Sequence, residues 1–285
     1  MIDKIYNYFL LMRLNKPIGI YLLMWPMLWA SFISVQGNPD IFIVILFLIG
    51  VVLTRSAGCV INDYFDKDID KKVSRTKDRV MAKGLVQPVE AILLFISLIS
   101  LCTVVLLMIG LDIIVYALIS FGLLVIYPLS KRIIKIPQLI LGIAFGSSVP
   151  MAYIAQLGYV DLSCLLIFLS TIFWAIAYDT YYAIADKKDD IKIGNKSSAV
   201  LFGDNDIHYP FIFHSLSIIL LVLVGIFNNL NFIYYFSLMI AFLFAIYQKI
   251  LVSRRIPYQC ISAFENNNFF GLIIFFGLIL NYLNG

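Results

Sequence analysis

The chain has few charged residues for its length. Of its 285 residues, 13% are charged and 62% are hydrophobic, and the mean hydropathy is +0.95. A soluble globular domain carries about a quarter charged residues, and one core of this size cannot bury so much apolar surface. The composition therefore excludes an ordinary soluble protein and predicts helices that span a membrane, each built from about 20 apolar residues.

The residues that mark several common kinds of site are also scarce. The four cysteines are far apart and form no CxxC pair, so neither a disulfide framework nor a cysteine metal cluster is indicated. His208 and His214 have no partners at ligand spacing and are interpreted as structural. The sequence contains no glycine-rich nucleotide loop, nucleophile elbow or HExxH motif. The net charge of +4 does not indicate nucleic-acid binding.

Long apolar runs predict an all-α, polytopic membrane protein with nine transmembrane helices around a central cavity. The whole chain, residues 1–285, is predicted to form a single transmembrane domain. The nine runs lie near residues 17–35, 41–61, 89–110, 113–129, 136–157, 162–185, 209–227, 232–252 and 267–283.

The loops between these runs alternate in charge. All 21 lysines and arginines lie in or beside one alternate set of loops and termini. The other set, 36–40, 110–112, 157–161 and 228–231, contains only three charged residues, all of them aspartates. Basic loops face the cytoplasm, so we expect the N-terminus inside and the C-terminus outside.

An internal repeat is indicated by two long basic loops, 62–88 and 186–208. Each follows a span that ends in aspartates, and four spans separate the two aspartate sites. This arrangement predicts two loose four-helix repeats, about 1–135 and 136–252, followed by a ninth helix.

The first aspartate motif reads Asn-Asp-Tyr-Phe-Asp-Lys-Asp-Ile-Asp from Asn62 to Asp70. If the helix of the second span continues through it, Asp63, Asp66 and Asp70 share one face, because positions i, i+3 and i+7 align. Asp68 then points away from that face.

The second motif has the same periodicity. Asp179, Tyr182, Asp186 and Asp190 stand at positions i, i+3, i+7 and i+11 of the sixth span and its extension. Stacked carboxylates repel one another, and a hard divalent cation with phosphate oxygens removes that conflict.

We therefore predict that Mg²⁺, held by Asp63, Asp66, Asp70, Asp186 and Asp190 with Asp179, binds a diphosphate. The alternatives are two solvated acidic helix ends, or a cation site in a transporter.

The basic residues near the motifs have two interpretations. The positive-inside rule alone places lysines and arginines here. Their concentration beside the aspartates also suggests that Arg75, Arg79 and Lys131 bind the diphosphate. An anionic acceptor needs its own positive partner. Arg55, inside the second span, either pairs with Asp63 or Asp66 or reaches such an acceptor.

These motifs resemble the UbiA family of intramembrane aromatic prenyltransferases, in particular its bacterial members that act on 4-hydroxybenzoate. The resemblance covers essentially the whole chain. The matching segments are Met12–Gly19, Arg55–Asp63 with the motif that follows, Tyr127–Arg132, Gly142–Pro150, Tyr178–Ser197 and Asn266–Gly271.

The resemblance implies Mg-dependent transfer of a polyprenyl group from polyprenyl diphosphate to 4-hydroxybenzoate in ubiquinone biosynthesis. It also implies a bacterial inner-membrane protein whose cavity opens to the cytoplasm and the lipid bilayer. A naphthoate or homogentisate acceptor remains the alternative within the family. We expect Arg13 to bind the carboxylate of the acceptor and Asn62 to orient its ring substituents. Arg55 is the second candidate for the carboxylate, because Asp63 or Asp66 can occupy it. The chain departs from the family pattern after Arg79, where Val80 and Lys83 replace a proline and a serine.

Overall fold

The computed structural model describes residues 2–284, apart from the side chains of Ile2 and Lys131. These residues form thirteen α-helices and contain no β-strand. The helices are α1 Ile2–Leu11, α2 Ile18–Ser34, α3 Ile41–Asp70, α4 Pro88–Ile109, α5 Ile114–Ile133, α6 Pro137–Gly146, α7 Ser148–Leu157, α8 Leu162–Ile193, α9 Ser198–Phe202, α10 His208–Phe227, α11 Phe232–Leu251, α12 Pro257–Glu265 and α13 Asn267–Leu283. The all-α prediction is confirmed.

The described residues contain eight helical segments long and apolar enough to span a membrane. Helices α6 and α7 form one of them, and α12 and α13 form another. Helix α2, with 17 residues, is a shorter apolar helix near the lower length limit for a span. With it, the described residues contain an apolar helical segment for each of the nine predicted spans, eight of them long enough to cross a membrane. The last span begins at Pro257, whereas the sequence predicts a start near 267. The prediction missed α12 because polar residues of this helix interrupt the apolar run.

Two aspartates of the weakly charged loops explain how their neighbouring helices begin. The Asp40 carboxylate accepts a hydrogen bond from the backbone N–H of Phe42 at 2.8 Å, at the start of α3. The Asp161 carboxylate accepts one from the N–H of Cys164 at 2.8 Å, at the start of α8. Each therefore satisfies an N–H group that the first helical turn leaves without a partner.

The middle of helix α8 is buried and has a polar anchor. The Trp174 Nε1–H donates to Asn267 Oδ1 at 2.8 Å, and His214 Nε2 lies 2.9 Å from the same oxygen. Trp174, His214 and Asn267 are fully buried. They connect α8, α10 and the start of α13, which agrees with the structural role expected for His214.

Helices α3 and α8 are longer than a membrane requires. They contain 30 and 32 residues, which at 1.5 Å per residue exceeds a hydrocarbon core of about 30 Å. Their C-terminal turns therefore extend beyond the apolar runs. The first motif and the Asp186 and Asp190 part of the second lie on these extensions, as the sequence predicts.

Candidate active site

A cavity of about 790 Å³ connects a polar mouth to an apolar groove. The polar end is lined by Arg13, Arg55, Asn62, Asp63, Arg75, Arg79, Asp179 and Tyr182. The groove lies between α4 and α5 and is lined by Leu106, Ile109, Ile113, Leu118 and Phe121. The two ends fit a ligand with a charged head and a long hydrocarbon tail.

The first motif forms the buried acidic face that helical spacing predicts. Asp63, Asp66 and Asp70 are 1%, 5% and 4% exposed. The Asp68 side chain is 73% exposed and pairs with Lys71 at 2.9 Å. Asp68 therefore lies off the face that contains the other three carboxylates.

Two arginines bind this face. Arg79 Nη1 donates to Asp63 Oδ1 and Asp70 Oδ2, each at 3.0 Å. Arg13 Nη2 donates to both Asp63 oxygens, at 2.9 and 2.8 Å. Burial disfavours the charge on Arg79, but the carboxylates of Asp63 and Asp70 outweigh burial and raise the pKa of its guanidinium. Arg79 therefore remains charged beside the carboxylates.

The backbone of Arg13 is strained. Arg13 has φ +59°, a left-handed conformation that favours glycine. It follows α1, where the N–H groups of Arg13 and Leu14 donate to the carbonyls of Leu10 and Phe9, as in a Schellman ending with Arg13 at the position usually taken by glycine. An arginine with this backbone is explained by its side-chain contact with Asp63.

The second motif is held by the loop that follows α3, residues 71–87. Arg75 donates through Nε to Asp186 Oδ1 at 2.9 Å and also pairs through Nη2. The Ser74 N–H donates at 3.0 Å to Oδ2 of Asp189, the residue directly before Asp190. The guanidinium of Arg75 lies 4.3 Å from the centre of the Tyr182 ring. The loop thus carries Arg79 to one motif and Arg75 to the other.

The two arginines considered for the acceptor's carboxylate, Arg13 and Arg55, differ in whether an aspartate pairs with them. Arg13 is held by Asp63. Arg55 makes no ion pair with any carboxylate that the structure describes, and its guanidinium lies 5.9 Å from the centre of the Phe145 ring, in the cavity wall. A Cβ atom on Gly19 would lie 2.1 Å from Arg55 Nε. Arg13, and not Arg55, is therefore the arginine that pairs with Asp63, and the acceptor contacts of both arginines stay predictions.

The remaining predicted residues occupy varied positions. Asn62 and Asp179 line the cavity, and the Asn195 amide lies 3.4 Å from Asp190 Oδ1. The side chain of Lys131 lies outside the described part of the chain, so its predicted diphosphate contact stays a prediction. Within that part, no three histidine, cysteine or carboxylate side chains form a compact metal cluster.

The donor chemistry of the two motifs nevertheless fits Mg²⁺. This ion usually binds one or two carboxylates and completes its shell with water and substrate phosphate oxygens, so it needs no all-protein cage. The carboxylates of both motifs are oxygen donors connected through one loop, beside a cavity that can hold the phosphates.

The departure after Arg79 leaves both loop arginines in the site. Val80 is 5% exposed and packs in a small core with Leu11, Ala57 and Met81. Lys83 is exposed and pairs with Asp78 at 2.9 Å. Neither replacement prevents Arg75 and Arg79 from reaching the aspartates.

Tyr178 and Glu265 are among the cavity residues that the sequence analysis did not assign to the site. Tyr178 directly precedes Asp179 and stands one helical turn before Tyr182 on α8, a spacing that could have identified it. Glu265 belongs to α12, the segment left outside the last predicted span.

Comparison with known proteins shows similarity over almost the whole chain. The model of the UbiA prenyltransferase family matches residues 23–276. A protein of Aeromonas hydrophila named 4-hydroxybenzoate octaprenyltransferase is 45% identical over 281 residues, 97% of this chain and 96% of the relative. One of the same name from Escherichia fergusonii is 43% identical over 283 residues, 98% and 97% of the two chains.

Solved structures of low sequence identity share the fold. The apo structure of a UbiA homolog from Aeropyrum pernix K1 has a TM-score of 0.80 at 24% identity, covering 92% of this chain and 97% of that one. A UbiA homolog from Archaeoglobus fulgidus bound to GPP and Mg²⁺ has a TM-score of 0.74 at 16% identity, covering 96% and 99%.

Proposed function

The chain belongs to the UbiA prenyltransferase family, and we propose that it transfers a polyprenyl group from polyprenyl diphosphate to the ring of 4-hydroxybenzoate, a step of ubiquinone biosynthesis. The names of the relatives at 42–45% identity support this acceptor. The observation that carries the proposal is one cavity that joins a mouth of paired aspartates and arginines to an apolar groove.

We assign the diphosphate to the cavity mouth. Asp63, Asp66, Asp70, Asp186 and Asp190, with Asp179, would hold Mg²⁺ there. The ion supplies positive charge that neutralises the phosphates and the leaving group. Support comes from the A. fulgidus homolog, which was solved with GPP and Mg²⁺.

The arginines have a second role in this proposal. In the structure Arg75 and Arg79 bind aspartates. When the diphosphate enters, its oxygens compete for the same guanidinium groups, which suit bidentate contact with phosphate. Arg75, Arg79 and Lys131 then stabilise the negative charge that develops as the C–O bond breaks.

The chemistry is an aromatic substitution. The bond between prenyl carbon and diphosphate oxygen breaks, and the electron pair leaves with the diphosphate. The allylic cation bonds to the ring carbon ortho to the acceptor's hydroxyl, and loss of the ring proton restores aromaticity. The apolar groove holds the prenyl chain and limits the water that would quench the cation.

We place the acceptor's carboxylate against Arg55. Its guanidinium faces the cavity without a described carboxylate partner, whereas Arg13 is engaged by Asp63. Asn62, one residue before Asp63, is suited to orient the ring substituents. Gly19→Ala, which would displace Arg55, should raise the KM for 4-hydroxybenzoate. Gly122→Ala meets no atom within 4 Å and is the matched control.

The protein is an integral membrane protein, and we further propose that it lies in the bacterial inner membrane with the active site facing the cytoplasm. The charge of the loops supports this orientation. Cysteines introduced at exposed positions 38 and 229 should react only with reagent added outside, and those at 77 and 192 only from the cytoplasm. Labelling of positions 38 and 77 from one side would overturn the orientation.

The function is tested with the purified full-length protein, Mg²⁺, polyprenyl diphosphate and a panel of acceptors. We expect a prenylated 4-hydroxybenzoate and one diphosphate released per product, without any ion gradient and not in EDTA. A product formed only from a naphthoate or homogentisate would replace the acceptor. Failure to prenylate any aromatic acceptor would overturn the assignment.

A further inference from the structure

Tyr178 has a buried hydroxyl group in the wall of the cavity. The residue is 1% exposed and lies on α8, next to Asp179. Its Oη atom has no hydrogen-bond partner in the described part of the chain. Burying a hydroxyl group without a hydrogen-bond partner costs free energy. A ligand that forms a hydrogen bond with it removes this cost and therefore binds more tightly.

The position of this group distinguishes it from similar atoms. Six buried polar side-chain atoms lack a partner among the described residues: Tyr153 Oη, Tyr178 Oη, Tyr181 Oη, Gln248 Nε2, Gln259 Oε1 and Tyr282 Oη. Of these six residues, only Tyr178 lines the cavity. Its missing partner is therefore the one that a substrate in the cavity can supply.

The ring of Tyr178 is held in place by other aromatic side chains. Its centre lies 5.3 Å from that of Trp174 and 5.8 Å from that of Phe264, both in edge-to-face geometry. The hydroxyl is thus presented on a rigid support, which reduces the entropy lost when it binds a ligand.

Arg55 lines the same cavity as Tyr178. Arg55 and Asp63 are eight residues apart on α3, which corresponds to about 12 Å along the helix. This separation leaves space for an aromatic ring between the diphosphate site and the Arg55 guanidinium.

We propose that the Tyr178 hydroxyl donates a hydrogen bond to the carboxylate of the aromatic acceptor, beside Arg55, and that this bond selects acids over neutral phenols. The inference rests on the proposed function. A carboxylate in a low-dielectric cavity needs several donors, and Arg55 with Tyr178 provides a charged and a neutral donor. A site built to bond a polar group rejects analogues that lack it.

The test compares Tyr178→Phe with the wild-type full-length protein. Loss of one hydrogen bond to a charged group should raise the KM for 4-hydroxybenzoate about tenfold, with no change in the KM for polyprenyl diphosphate. Calorimetric binding of 4-hydroxybenzoate without Mg²⁺ or diphosphate should weaken by the same factor. The ratio of kcat/KM for 4-hydroxybenzoate to that for the neutral 4-hydroxybenzamide should also fall in Tyr178→Phe.

Tyr181→Phe is the matched control. It removes a buried hydroxyl that also lacks a described partner, on the same helix but away from the cavity, and should leave both KM values unchanged. If the wild type is active and Tyr178→Phe leaves the KM and the binding constant for 4-hydroxybenzoate unchanged, the role of Tyr178 is wrong while the proposed function stands. If wild type uses a different aromatic acid, the proposed acceptor fails, and the same comparison with that acid decides the role of Tyr178.

Discussion

The two aspartate motifs have the same helical spacing but different surroundings. At the end of α3, Asp63, Asp66 and Asp70 are at most 5% exposed, and Arg13 and Arg79 bind them from two directions. At the end of α8, the side chain of Asp186 is 14% exposed and that of Asp189 is 20% exposed. The loop after α3 reaches these through one arginine and one backbone N–H.

The difference follows from how each helix ends. Helix α3 stops at Asp70, and the chain turns back so that Arg79 contacts Asp70 and Asp63. Helix α8 continues past Asp190 to Ile193 and ends at Gly194, with φ +75°. The first motif therefore has cationic partners on both sides, while the second is more open to solvent. Similar spacing in sequence therefore does not give the two motifs the same cationic partners or the same exposure to solvent.

The largest expected effect concerns the aspartates, and it shows whether both motifs are needed for catalysis. Asp63→Asn, Asp66→Asn and Asp186→Asn should each reduce kcat/KM by on the order of a hundredfold or more, because each removes a carboxylate that would hold the Mg²⁺ at the diphosphate. The measurement is prenyl transfer by purified variants that remain folded. Near-wild-type turnover in two of these variants would contradict the metal role.

Asp68→Asn is the control for this prediction. Its side chain is exposed and pairs only with Lys71 among the described residues, so its activity should stay close to wild type. A loss as large as that of Asp66→Asn would mean that the acidic face has been assigned to the wrong side of α3.

Helical periodicity explains what could be predicted of this site. The carboxylate faces depend on residues three and four positions apart, and such relations are readable in sequence. The partners of Arg13 and Arg55 depend on distant parts of the chain and on the backbone of Arg13, which no local pattern reveals. The position of Tyr178 one turn before Tyr182 is readable in the sequence, but its unpaired hydroxyl is defined only by its packed neighbours. Helix α12 was missed because its polar residues hide its continuity with α13.

A second effect should separate the stability of the two motifs. Arg79→Ala leaves the buried Asp70 without its described arginine and should destabilise the protein by about 3 kcal/mol. Arg75→Ala breaks a pair at the more open motif and should cost at most about 1 kcal/mol, while raising the KM for the diphosphate. Thermal unfolding of both variants in one detergent measures the difference. Equal losses would show that the two surroundings are energetically alike.

A third, smaller effect concerns the strained residue at the first motif. Arg13→Ala and Arg13→Gly both remove the contact with Asp63, so their activities should fall alike. Glycine accepts φ +59° without the steric cost paid by alanine. The free energy of unfolding of Arg13→Gly should therefore be about 1 kcal/mol higher than that of Arg13→Ala, as measured by denaturant or thermal unfolding. Identical stabilities would mean that the backbone relaxes once the arginine is removed.

The smallest effect is expected on the loop that joins the motifs. Lys83 replaces a serine typical of the family and pairs with Asp78 in an exposed position. Such pairs contribute little to stability. Lys83 lowers the pKa of the Asp78 carboxyl. Any contribution of this pair to the stability of the protein is therefore present at neutral pH and is lost as the pH falls through that lowered pKa. Lys83→Ser should therefore change neither the melting temperature at neutral pH nor the KM for polyprenyl diphosphate. A clear change in that KM would show that this part of the loop contacts the substrate, and that the loop does more than carry Arg75 and Arg79 to the two motifs.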